Sequence, residues 1–209
     1  MSSQTKNSKH AKYSTGNPIS RFLVQNFFTS ISELYSRISI KSVLDVGCGE
    51  GLILDMLSRI SPMEKCCAMD KNQEEVNDAK TRLPFCDVKI GDIYSLDYSD
   101  SSFDLIICNE VLEHLDSPEQ ALIELERVCG QYAILSVPRE PLWRTMNIVR
   151  LKYLKDFGNP PEHLNHWSKR GFINLISPYF DIVDIKSPVP WNIVLCRKKT
   201  NLSKNTFRR

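Results

Sequence analysis

The stretch Val43-Leu44-Asp45-Val46-Gly47-Cys48-Gly49-Glu50-Gly51 constrains this chain more than any other. The apolar run from Ser42 to Val46 reads as a strand buried on both faces, as in a parallel sheet. It runs into a loop with glycine at alternate positions, and an amphipathic helix carrying Leu52, Ile53, Leu54, Met56 and Leu57 follows. Strand, glycine loop and helix form the local architecture that brings backbone N–H groups and a helix N-terminus against a ligand. Missing side chains let that ligand come close to the backbone. The spacing is GxGxG. Dinucleotide sites use GxGxxG and triphosphate loops use GxxxxGK[ST], so both chemistries are disfavoured.

Three further strands end in polar residues. Cys66-Cys67-Ala68-Met69-Asp70 is apolar and stops at an acid, with Lys71 next to it. Val88-Lys89-Ile90-Gly91-Asp92-Ile93 places a second acid at a strand tip, and Phe103 to Glu110 runs through Asn109. Strand and helix alternate from Leu44 onward, which implies a parallel sheet covered on both faces. The periodicity predicts helices over Pro18–Ile38, Asn72–Leu83, Ser117–Cys129 and Ser168–Ser177. It predicts a fifth strand over Tyr132–Val137 and a terminal hairpin of Phe180–Ile185 with Asn192–Cys196. In such open sheets a ligand sits beyond the C-terminal strand ends, where Asp45, Gly47, Asp70, Asp92 and Asn109 fall.

A chain of 209 residues is long enough for one domain with a substantial core. No apolar run approaches the ~18 residues of a membrane span, and the N-terminus has no signal-peptide core. The seven cysteines are odd in number and include no CxxC, which points to reduced thiols in a cytoplasmic protein. Net charge is +2 and decides nothing alone. Its distribution is more useful: Lys6, Lys9 and Lys12 lie near one end, and Lys198, Lys199, Lys204, Arg208 and Arg209 near the other. The expected organisation is a flexible segment over residues 1–17, a domain over 18–199 and a flexible basic tail over 200–209.

The glycine loop, Asp70, Asp92 and the segment Phe103-Asp104-Leu105 to Val111-Leu112-Glu113-His114 together resemble the class I S-adenosylmethionine (SAM) dependent methyltransferases over about residues 40–137. The resemblance implies an α/β, Rossmann-like, doubly wound seven-stranded sheet. That sheet would be mostly parallel, with an antiparallel C-terminal strand beside the fifth and helices on both faces. It implies that Asp45, Gly47, Cys48, Gly49 and Gly51 hold the methionine part of SAM. Asp70, with Lys71, would meet the ribose, and Asp92 and the Ile93 N–H the adenine. Asn109 would also contact the cofactor. Residues 13–17 are where related enzymes often keep a flap.

Methyl transfer to oxygen needs a base or a metal near the acceptor. If the chain turns helical after Asn109, Glu110, Glu113 and His114 share one face. With His163 they would suit Mg, Mn or Zn. This ExxEH pattern, with a distal His ahead of Trp167, is similar to quinone-biosynthesis O-methyltransferases and small-RNA 2′-O-methyltransferases. A metal-free base at His114, His163 or His166 is the competing reading, and a structural role for all of them is the third. Residues 139–167 read as an acceptor-side cap whose basic amphipathic helix spans about 142–155. It would cover a small-molecule or lipid-linked acceptor, touch an anionic membrane as a peripheral contact, meet RNA, or cover its own domain. The favoured function is O-methylation of a small or lipid-linked metabolite. The alternatives are RNA 2′-O-methylation and a non-catalytic SAM-binding adaptor. The oligomeric state is not encoded in any feature of the sequence.

Overall fold

The computed structural model describes residues 17–149 and 162–200. Seven strands form one sheet in the order β3-β2-β1-β4-β5-β7-β6. They are β1 (Ser42–Val46), β2 (Lys65–Asp70), β3 (Asp87–Ile90), β4 (Phe103–Asn109), β5 (Cys129–Pro138), β6 (Phe180–Lys186) and β7 (Trp191–Lys198). The first five pair in parallel, while β7 runs antiparallel to both β5 and β6. This is the expected doubly wound sheet with a reversed strand inserted beside β5. The strand order changes direction between β1 and β4, and the crevice of such a sheet opens at that point.

Alternating side chains split the core into two layers. Helices α1 (Pro18–Tyr35), α2 (Leu52–Ser58) and α3 (Gln73–Arg82) cover one face, where Phe27, Ile31, Leu54, Val76, Leu105 and Ile193 pack together. Helices α4 (Pro118–Val128) and α6 (Lys169–Ile176) cover the other, over Leu44, Ile106, Leu125, Leu135, Phe172 and Val194. The remaining helix, α5 (Leu142–Val149), follows β5.

Side-chain caps close the N-termini of three helices. Asn17 accepts from the Ile19 N–H, Asn72 from the Glu74 N–H and Ser168 from the Gly171 N–H. Ser117 precedes α4, whose first residue is Pro118, yet it makes no side-chain cap. The aromatic stripe of α1 is buried only in its second half. Phe27, Ile31, Leu34 and Tyr35 are covered, but Ile19 and Phe22 are 65% and 64% exposed. Among the described residues no helix is long and apolar enough to cross a membrane. The 1–16 and 201–209 segments lie outside the described residues. So does the second half of the expected cap helix, including Arg150, Lys152, Tyr153 and Lys155.

Candidate active site

The glycine loop is held by its own chain. The N–H groups of Gly47 and Cys48 donate to the Met69 carbonyl at 2.8 and 3.0 Å. The Gly49 N–H donates to the Asp70 carboxylate at 3.0 Å, and that of Gly51 to the Cys48 carbonyl at 3.0 Å. These donors are therefore spent on the turn and do not form an anion cradle. All three glycines adopt left-handed backbone, with φ of +77°, +52° and +78°. A Cβ at Gly47 would lie 2.3 Å from Val111 Cγ2, and one at Gly51 would lie 2.6 Å from Leu83 Cδ1. Only at Gly49 is the space open, with Glu75 Oε2 3.7 Å away. The absent side chains at 47 and 51 thus make room for the protein's own packing, and only the one at 49 leaves space open.

Asp45 and Asn109 flank the switch between β1 and β4. Asp45 is 2% exposed, and its Oδ2 has no partner among the described residues. Burial, followed by the nearby charge of Asp70, pushes its carboxyl up to about 8. Asn109 is 7% exposed, and neither its Oδ1 nor its Nδ2 has a partner among the described residues. Buried polar groups left unpaired in a native core are costly and rare, so two of them at the switch point are informative.

Asp70 does more than face outward. Its second oxygen accepts from the Asn72 N–H at 2.9 Å, so the carboxylate ties the glycine loop to the start of α3. Asp92 is exposed and accepts from the Tyr94 N–H at 3.0 Å, while Ile93 is buried in the core. Lys71 is exposed at the end of β2. Burial and the Asp45 and Asp70 charges hold the Cys48 thiol protonated well above its usual range.

The chain leaves β4 differently from expectation. Glu110 takes left-handed backbone, φ +58°, so no α-helix continues from Asn109 and a single 3-10 turn spans Leu112–His114. Glu110 is therefore carried away from the expected ligand set. Its carboxylate accepts from Trp191 Nε1 at 2.7 Å and from Ser136 Oγ at 3.5 Å. The other three expected ligands do converge: one donor atom each from Glu113, His114 and His163 lies within 4.8 Å of the others. Glu113 is 1% exposed. His114 Nδ1 is 2.8 Å from the Glu162 carbonyl and so donates to it, while Nε2 lies 3.9 Å from Glu113 Oε1. The His163 ring stands edge-on to His114 at 4.9 Å and stacks on Trp143 at 6.0 Å.

A short strap brings His163 in. The Leu164 and Asn165 N–H groups donate to the Glu113 carbonyl at 2.8 and 3.0 Å, and Asn165 Nδ2 donates to the Leu115 carbonyl at 2.6 Å. The His166 ring lies 6.4 Å from that of His163. Its Nδ1 is 3.7 Å from Glu140 Oε1, and burial followed by the Arg144 charge lowers its affinity for a proton. Burial raises the Glu140 carboxyl. Val111 links the two halves of the site, since it contacts Gly47 and immediately precedes the 3-10 turn. Sequence reasoning missed Glu140, Ser136 and Trp191. None of them forms a local pattern, because each reaches the site through sheet register.

Residues 44–136 match a family model described as a methyltransferase domain. Over those residues the chain is similar to methyltransferase domains. A ubiquinone biosynthesis O-methyltransferase of Rickettsia felis is 29% identical over 66% of this chain and 58% of its own length. The mitochondrial one of Dictyostelium discoideum is 25% identical over 84% and 60%. An uncharacterized 37.1 kDa transposon protein of Streptomyces fradiae is 38% identical over 52% of this chain and 32% of its own length. The chain thus spans roughly a third to three fifths of these curated relatives. Magnesium protoporphyrin IX methyltransferase from Synechocystis, solved with bound SAH, shares the fold of this chain with a TM-score of 0.67. It is 14% identical and the match covers 90% of this chain and 91% of that one.

Proposed function

We propose that this chain is a SAM-dependent methyltransferase that methylates an oxygen of a small or lipid-linked acceptor. The observation that carries the reading is the pair of unsatisfied buried groups, Asp45 and Asn109, at the switch point behind the glycine loop. A buried carboxylate without a partner calls for a cation, and the α-ammonium of SAM is one. The amide of Asn109 offers a donor and an acceptor to the same ligand. Asp70 holds the loop and keeps lone pairs for ribose hydroxyls, and Asp92 with Ile93 forms the far wall. SAM supplies an electrophilic methyl group on a sulfonium. Catalysis then rests on positioning and on removing the acceptor's proton.

Glu113, His114 and His163 would hold a divalent ion, whose role would be to acidify a bound hydroxyl. Two imidazoles and one carboxylate favour Zn or Mn over Mg. Two features support this: a nearly inaccessible carboxylate faces an imidazole, and the Glu162 carbonyl fixes the orientation of the His114 ring. His166, with Glu140 behind it, is placed to take up a proton without a metal. Similarity to ubiquinone biosynthesis O-methyltransferases favours an oxygen acceptor.

Calorimetry tests the central claim. SAM and SAH should bind the parent protein, and binding at pH 7 should release a proton as Asp45 ionises against the ammonium, so the measured heat varies with the buffer's ionisation enthalpy. Asp45→Asn should weaken binding at least about tenfold, a loss of ~1.4 kcal/mol or more, and abolish the proton release. Equal affinity and equal proton release in parent and variant would sink the assignment.

A further inference from the structure

We propose that Cys66 and Cys86 form an oxidisable dithiol that closes to an intrachain disulfide. Strand β2 pairs with β3 from Cys67 opposite Asp87 onward. One step back along both strands, Cys66 stands opposite Cys86. Neighbouring strands lie about 4.8 Å apart, inside the Cα separation that a disulfide spans. Alternation also puts both side chains on one face. Cys66, Ala68 and Val88 belong to the layer under α1–α3, and Cys86 packs against that same layer. Cys67 points to the opposite layer, so it cannot take the place of Cys66. Cys86 precedes the first ladder residue of β3, which gives its backbone the freedom to close the bond. A hydrogen bond with the Cys66 thiol is the largest influence on Cys86.

The chemistry needs a two-electron oxidant, and hydrogen peroxide is one. Cys86 is half-buried and Cys66 is 7% exposed, so peroxide reaches Cys86 first. The Cys86 thiolate attacks one peroxide oxygen, the O–O bond breaks, and hydroxide leaves a sulfenic acid. Cys66 then attacks the Cys86 sulfur through its own thiolate. The S–O bond breaks, a second hydroxide leaves, and the two protons given up by the thiols complete two waters. The hydrogen bond with Cys66, followed by burial, holds the Cys86 thiol far above its usual range, which makes this a slow dithiol and not a fast sensor. The bond would sit at the starts of β2 and β3, away from the strand ends that carry Asp70 and Asp92.

The test treats the full native chain with hydrogen peroxide, blocks free thiols with iodoacetamide and maps tryptic peptides without reduction. The expected product is peptide 66–71 joined to peptide 83–89, two mass units below the sum of the reduced peptides. Cys66→Ser and Cys86→Ser should each abolish it, while Cys67→Ser should leave it in place. The oxidised protein should melt roughly 5–10 °C higher, because the bridge closes a loop of about 20 residues in the unfolded chain. Its affinity for SAH should change less than twofold. A linkage that persists in Cys66→Ser overturns the proposal, as does stepwise oxidation of Cys86 to sulfinic acid with no linked peptide. A lowered melting temperature in the bridged protein would also overturn it, since the bond would then require a distorted sheet.

Discussion

Asp45 shows how one residue can link stability to ligand binding. Its folded-state carboxyl titrates near 8 because burial and Asp70 disfavour its charge. The unfolded chain would ionise it near 4. Between those values the folded state holds a proton that the unfolded state lacks. Stability from this group is therefore full below pH 4, falls as pH rises to about 8, and is flat beyond. The slope is at most ~1.4 kcal/mol per pH unit for one proton. Asp45→Asn should remove that slope, so urea unfolding of parent and variant should diverge from pH 4 to 8 with the variant the more stable. Parallel curves would mean that Asp45 has a partner. The glycines separate by the same kind of argument. Gly47→Ala combines left-handed backbone with a Cβ 2.3 Å from Val111 and should cost ~2–4 kcal/mol. The added substitution Val111→Ala should recover part of that. Gly49→Ala meets open space and should cost only ~1–2 kcal/mol from its backbone. If Gly47→Ala and Gly49→Ala are equally destabilising, steric contact with Val111 is not what selects glycine at 47.

At the scale of elements, the parts with a strong local period were legible. The strand before the glycine loop, the helix starts at Asn72 and Ser168 and the reversed strand beside β5 all stand where they are expected. What was not legible depends on contacts across the fold. The ExxEH spacing predicts a helical face of three ligands, but the left-handed turn at Glu110 replaces the helix by a 3-10 turn. Helix periodicity carries no information about a single residue with positive φ. Trp191, 81 positions away, supplies the donor that holds Glu110 in its new place. The stripe on α1 has the spacing of a buried face, yet in its first turns Ile19 and Phe22 are left uncovered. The strap over residues 162–167 has no periodicity, and its position follows from hydrogen bonds that it donates to the Glu113 and Leu115 carbonyls and from the Glu140 N–H that donates to the Trp167 carbonyl. Asn165→Ala removes the side-chain bond to Leu115 and should cost ~1–2 kcal/mol. It should loosen His163 without changing SAH affinity. Unfolding and calorimetry on the same variant check both halves, and a loss of SAH affinity would show that the strap braces the glycine loop instead.

The whole molecule divides its labour across the sheet switch. Strands β1, β2 and β3 end in the glycine loop, Asp70 and Asp92, and β4 and β5 lead to the 3-10 turn, Glu140 and the strap. Val111 touches both halves. Cofactor binding and the Glu113–His114–His163 cluster should therefore be separable by substitution. If the cluster holds a divalent ion, the parent protein should bind about one equivalent of Zn or Mn, and chelation should lower methyl transfer while SAH affinity stays within a factor of two. His163→Ala and Glu113→Gln should each reduce metal affinity ~10–100-fold or more, since removing a neighbouring support alone has that effect on a metal site. Glu110→Gln should not reduce it, because the Glu110 carboxylate is engaged by Trp191 and Ser136. Glu110→Gln thereby tests the geometry itself. Metal loss in that variant equal to that of His163→Ala would mean that Glu110 swings into the cluster when the ion binds. Full methyl transfer after exhaustive chelation would remove the metal altogether and leave His166, backed by Glu140, to take the acceptor's proton. In that case the rate should rise with pH through a value below the ordinary histidine range, because burial and Arg144 disfavour the charged ring.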